Sequence, residues 1–132
     1  MPLHTKSIHT AIDPNHDGLR ILATRYIPRG TPKARYDVWM ASLAPSERLL
    51  KAFLQDNLTW TEFAAQYKKQ LFAEAAVDTE NPRIKNHGQK FTLRLLKALT
   101  QRQPLTFLCA CAEDEPHCHR HLLKAVLESA AV

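Results

Sequence analysis

The chain has 132 residues, a length suited to one hydrophobic core, and its 45% hydrophobic and 23% charged residues are an ordinary globular balance. No apolar run approaches the roughly 20 residues needed to cross a bilayer, which excludes a helical membrane span. The 18 Lys and Arg against 13 Asp and Glu leave a net charge of +5, enough to favour anionic partners in encounter and too little to diagnose a nucleic-acid binder.

At the N-terminus, "MPLHTKSIHTAID" lacks the apolar centre of a secretory signal. Within it "KSIHTAI" reads as a short strand, and "DPNHDG" supplies turn chemistry after it. "LRILATRYI" reads as a second strand, and the six-residue connection suggests that the two pair antiparallel. Pro28, Gly30 and Pro32 make "PRGTPK" a loop, so Arg25 and Arg29 stand at or just past the C-terminal end of that strand. A helix starts near Pro45 and Ser46, with Leu49, Leu50, Phe53 and Leu54 on one face. Thr59 and Glu62 have capping-box spacing at the head of the next helix, where Trp60, Phe63, Tyr67 and Leu71 follow on one stripe.

After the break "VDTENPR" the pattern predicts a long helix over roughly 85–102 with Phe91, Leu95, Ala98 and Leu99 inward. "LTFLCAC" is a strand-length apolar run, as expected of a strand covered on both faces. The last helix follows Pro116 and carries the stripe Leu122, Leu123, Val126, Leu127 and Ala130. These elements predict one α/β domain over residues 1–132, with a mostly parallel short sheet flanked by helices. In such sheets ligands bind outside the carboxyl ends of the strands.

All three cysteines lie in "FLCACAEDEPHCHRHLL", at 109, 111 and 118, followed by His119 and His121. An odd count with no scaffold spacing argues against disulfides and for a reducing, cytoplasmic setting. His119 tops the core-facing stripe of the last helix. Cys118 is expected in its first turn, where free N–H groups and the helix dipole favour a thiolate or an anion, and Arg120 flanks that position.

Three readings stand. The first is a metal site from Cys109, Cys111, Cys118 and His119 or His121. The C-x-C pair is expected to keep its two sulfurs from one ion, and a C-x₂₋₄-C knuckle is absent, so no metal is expected; if one is held, the ligand set is Cys109, Cys118 and His119. The second is a reactive Cys118, activated by the helix terminus, His119 and Arg120. The third is packing, with cysteines as small core residues and His119 as a hydrogen-bonded core imidazole. Arg25 and Arg29 read as a fork for an anion, as solvated loop residues, or as a salt bridge to Asp37. Trp39, Trp60 and Tyr67 read as a stacking surface or as core.

The blocks "RILATRYIPRG", "W-x-x-x-LAPS-x-x-LL", "W-x-x-F-x-x-x-Y" and "LTFLCAC…CHRHLL" together resemble, in order and over nearly the whole chain, a bacterial family known as domain of unknown function 488, in its YeaO-like branch. The matching positions are Arg25, Pro28, Arg29 and Gly30; Trp39, Leu43, Ala44, Pro45 and Ser46; Trp60, Phe63 and Tyr67; and Cys109, Cys118, His119 and Arg120. The resemblance implies a compact bacterial α/β domain and supplies no reaction. Its polar members are those already placed at one edge of the sheet.

The leading expectation is a protein that binds, and in one version acts on, a phosphate-bearing small molecule such as a nucleotide derivative at that edge. Arg25, Arg29 and Arg120 bind the anion, and Cys118 and His119 are the chemically active pair. The alternatives are a non-catalytic nucleic-acid or protein-binding module, with nucleic acid not favoured, and a Cys/His metal-binding protein. No membrane partner is expected. Catalysis, cofactor and oligomeric state stay open at this level.

Overall fold

The computed structural model describes residues 2–132. Four strands, β1 (Leu3–Ser7), β2 (Leu19–Leu22), β3 (Val38–Trp39) and β4 (Leu105–Cys109), form one sheet in the order β1-β4-β2-β3. Every pairing is parallel. The helices are α1 (Glu47–Leu54), α2 (Trp60–Leu71), α3 (Lys90–Leu99) and α4 (His119–Glu128).

The expected antiparallel pair is not formed. β1 lies earlier than predicted, and β4 inserts between it and β2, so Leu105 faces both Leu3 and Leu19. β4 is buried at all five positions. A strand with no solvated face is stable only where both of its backbone edges also find partners, and the central place between two parallel neighbours gives it both. β2 also ends earlier than predicted. Ala23 N–H still donates to Leu108 O (2.9 Å), and the chain then leaves the sheet as the loop that carries Arg25 and Arg29.

All four helices pack on one face of the sheet. Ile21, Ala23, Leu105 and Phe107 meet Leu49 of α1, Phe63 and Tyr67 of α2, Leu93 and Leu96 of α3, and Leu123 and Leu127 of α4 in one core. The opposite face carries Ile8, Leu22 and Leu108 under Tyr36. Loops close this second face instead of helices. Lys6 pairs with Asp17 at 2.8 Å, Thr106 Oγ1 donates to Asp17 O at 2.7 Å, and Arg20 pairs with Asp37 at 3.1 Å. The salt bridge to Asp37 thus belongs to Arg20, not to Arg25 or Arg29. No helix among the described residues is long and apolar enough to cross a membrane.

Side-chain caps set two of the four helix starts. Ser46 Oγ accepts Leu49 N–H at the head of α1. The Thr59 and Glu62 capping box is formed in both directions at the head of α2. Removing the first arm, in Thr59→Ala, is expected to cost ~1 kcal/mol, read from the urea midpoint at unchanged slope. α3 is shorter than predicted and turned on its axis: Leu93 and Leu96 are buried, while Phe91 and Leu95 are 45% and 74% exposed. His87 and Gly88 both adopt positive φ (52° and 67°), and Gln89 N–H donates to Leu71 O at 2.7 Å, which anchors the first turn of α3 to the end of α2.

Candidate metal centre

The carboxyl edge of the sheet and the start of α4 bring the three cysteines together. β4 ends at Cys109, whose side chain faces the helices, and residues 110–117 then turn back to Cys118, the N-cap of α4. The Cys109, Cys111 and Cys118 sulfurs all lie within 4.8 Å of one another, and those of Cys109 and Cys118 are 2.7 Å apart. Cys109 and Cys118 are buried and Cys111 is half-buried; all three are free thiols.

The expectation that the C-x-C pair keeps its sulfurs apart is overturned. Residues two apart on a strand share a face, and the strand stops at Cys109, so Cys111 follows on the same side and its N–H points back to the Cys109 sulfur at 3.4 Å. Alternation itself was the signal for this. Cys118 sits one residue before the first turn of α4 rather than within it.

Arg120 shapes this loop. It is fully buried, and its Nη1 donates to Cys109 Sγ at 3.1 Å and Cys111 O at 3.5 Å. Its Nη2 donates to Ala112 O at 3.1 Å and Glu113 O at 2.9 Å. One guanidinium therefore binds the strand end and three successive carbonyls, which fixes where Cys111 stands. Glu113 closes the loop on its other side by accepting from Ser7 N–H (3.0 Å) and Thr10 Oγ1 (2.5 Å).

The electrostatics concentrate negative charge on Cys109. Hydrogen bonds from the Cys111 and Cys118 thiols hold its pKa far below the ordinary thiol value, against the effect of burial. Cys118 is pushed well above the ordinary value, first by its hydrogen bonds with Cys109 and Cys111 and then by burial. Cys111 is raised as well, chiefly by its hydrogen bond with Cys109. Burial works against the Arg120 cation, but the Cys109 sulfur offsets it and leaves that guanidinium held more firmly charged than usual. Of the three thiols Cys109 is the one most readily ionised, with the buried Arg120 guanidinium 3.1 Å from its sulfur.

His119 faces the cluster from α4. Its Nε2 lies 2.5 Å from Ala23 O and its Nδ1 4.0 Å from Cys118 Sγ, with Tyr67 edge-on to the ring at 5.9 Å. Burial holds its pKa below the ordinary imidazole value. His121 turns away, toward Glu115 O at 3.0 Å and Thr5 Oγ1 at 3.5 Å.

The three arginines expected to clamp one anion are not gathered. Arg120 is spent on the loop after β4. Arg25 Nη2 donates to Ala44 O at 3.3 Å and Pro45 O at 3.1 Å, tying the loop after β2 to the start of α1. Arg29 is exposed and lines a separate cavity with Ile8, His9 and Arg35. Of the aromatic residues, Tyr67 is core and its hydroxyl donates to Leu43 O. Trp60 is half-buried and stacks on Phe63 and His117, and Trp39, 43% exposed, donates Nε1–H to Thr24 O.

A family model described as the active DUF488-N3 subclade, DUF488-N3a, matches residues 3–131. The chain is similar to the uncharacterized protein YeaO of Escherichia coli K12, 35% identical over 94 residues that cover 67% of this chain and 79% of that protein. It is also similar to the uncharacterized proteins Rv3073c of Mycobacterium tuberculosis H37Rv and Mb3100c of Mycobacterium bovis, each 33% identical over 72 residues. That match covers 53% of this chain and spans 60% of the length of these mycobacterial relatives. No solved structure matches the chain.

Proposed function

The chain belongs to the DUF488 family, in its YeaO-like branch, and on that premise we propose that its cysteine cluster holds a thiophilic divalent metal ion, zinc foremost, through Cys109, Cys111 and Cys118. The observation that carries this reading is the convergence of three sulfurs within 4.8 Å at one edge of the sheet. Zinc–sulfur bonds of about 2.3 Å place the sulfurs of a tetrahedral site about 3.8 Å apart. The Cys109–Cys118 pair therefore opens by about 1 Å when an ion enters, a movement within reach of side-chain rotation.

His119 supplies the fourth ligand. The carbonyl of Ala23 only accepts, so Nε2 carries the proton, and Nδ1 keeps its lone pair on the side of Cys118. Three thiolates around a dication leave negative charge in excess, and Arg120, donating to Cys109, offsets part of it. Cys118 and His119, expected from the sequence as a catalytic pair, act in this reading as ligands.

A second reading, a reactive thiol, is favoured by one observation: the Arg120 guanidinium donates to Cys109 Sγ at 3.1 Å, a contact that stabilises a thiolate. One sample separates the two. Reduced, chelator-stripped protein titrated with cobalt is expected to take up one ion per chain, with a sulfur-to-cobalt charge-transfer band and the visible bands of tetrahedral coordination. Thiol labelling should then slow for all three cysteines. Absence of the band, with one thiol reacting much faster than the other two, would remove the metal and leave the reactive thiol.

A further inference from the structure

The face of the sheet that carries no helix holds a second feature, unconnected with the cysteines. The loop after β2 crosses this face, and with the end of β1 it encloses a cavity of about 280 Å³. Ile8 and His9 line it from the turn that follows β1, and Arg29, Thr31 and Arg35 from the loop.

Both arginines are mounted on hydrogen-bonded turns. Thr31 N–H donates to Pro28 O at 3.1 Å around Gly30, whose φ is +78°. That is the pattern of a type II turn with Arg29 at its second position. Arg35 closes the 3₁₀ turn Lys33–Arg35, its N–H donating to Pro32 O at 3.1 Å. Among the described residues the Arg29 guanidinium makes no hydrogen bond or ion pair, and Arg35 makes one side-chain bond, Nη1 to Thr10 O at 3.4 Å. No carboxylate lines the cavity. Glu113, which reaches Thr10, is held there by Ser7 N–H. Arg29 and Arg35 thus line one polar concavity with no carboxylate among its lining residues, at the carboxyl end of a parallel sheet, where ligands of such folds bind.

We infer that this cavity binds a single phosphoryl group, as inorganic phosphate or the head of a small phosphate monoester, between Arg29 and Arg35. A tetrahedral dianion satisfies two planar forks at once, and charge-assisted hydrogen bonds of that kind are about twice as strong as neutral ones. The volume is at the lower end for ligand pockets, about 300 Å³, which suits a small anion and not a polymer. Of the clamp expected from the sequence this keeps Arg29 and replaces Arg25 and Arg120 by Arg35.

Amide chemical shifts, followed while phosphate or glycerol phosphate is added at constant ionic strength, test the inference. Saturable shifts are expected at His9, Gly30, Thr31 and Arg35, and none from matched sodium chloride. Arg29→Gln, at an exposed position, should weaken phosphate binding about tenfold, and Arg29→Gln with Arg35→Gln should abolish saturation. Binding of both probes assigns the site to the phosphoryl group; binding of inorganic phosphate alone assigns it to the free ion. Equal shifts with chloride, an unchanged affinity in Arg29→Gln, or shifts confined to the start of α4 would overturn it. The readout is independent of metal, so cobalt binding can fail while phosphate binding stands, and the reverse.

Discussion

The Cys111→Ser protein is expected to fold like its parent and to bind cobalt about a hundredfold more weakly. A structural zinc site is worth about 10–16 kcal/mol at neutral pH, so one of four ligands carries about 3 kcal/mol, or roughly two decades of affinity. The fold should survive because Cys111 is half-buried and lies beyond the end of β4. Its place is set by its own carbonyl on Arg120, which serine keeps. Isothermal titration with cobalt, beside a thermal melt of the metal-free protein, gives both numbers. Full affinity in Cys111→Ser would reduce the ligand set to Cys109, Cys118 and His119. Equal loss of affinity and of apo stability would make Cys111 a packing residue.

The largest expected loss of stability lies far from the cysteines, at Gly18. Its φ is +62°, and a Cβ there would stand 1.9 Å from the carbonyl oxygen of Pro104. That oxygen accepts Leu19 N–H at 3.0 Å, the bond that opens the pairing of β2 with β4. The carbonyl cannot yield without parting the two strands at their first residues. Gly18→Ala should therefore cost about 3–4 kcal/mol and lower the Tm by about 10 °C or more. Gly30→Ala is the control. Its φ is +78°, yet a Cβ there meets nothing within 4 Å, so only the left-handed penalty of about 1–2 kcal/mol applies. Equal losses in the two variants would mean that the contact with Pro104 is not what makes Gly18 necessary.

The two glycines illustrate a wider division. Turn chemistry in "DPNHDG" and "PRGTPK" is legible because a positive φ or a fixed proline φ is a property of the residue itself. The close approach of Gly18 to Pro104 is not legible, since the two are brought together only when β4 enters the sheet beside β2. The cysteine stretch divides in the same way. Its position at a strand end and helix start, and the inward stripe of α4, follow from short-range patterns. That Arg120 turns inward to bind four acceptors does not, because an arginine flanking a helix start is ordinarily solvated. The convergence of Cys111 with Cys109 was half legible, through the alternation of a strand.

By itself, the sequence determined the α/β class, the buried character of β4, the capping box of α2, and family membership through four blocks in register. These rest on hydrophobic period, cap spacing and turn residues, which act over a few positions of chain. Tertiary structure alone decided the order β1-β4-β2-β3, the face of α3 that leaves Leu95 outside, the separation of Arg25, Arg29 and Arg120, and the placing of Arg29 and Arg35 on one cavity. Each depends on which distant segment supplies a partner. Periodicity says that a face is buried, whereas the choice of what buries it is made by the competition of whole elements for the sheet's edges and its two faces.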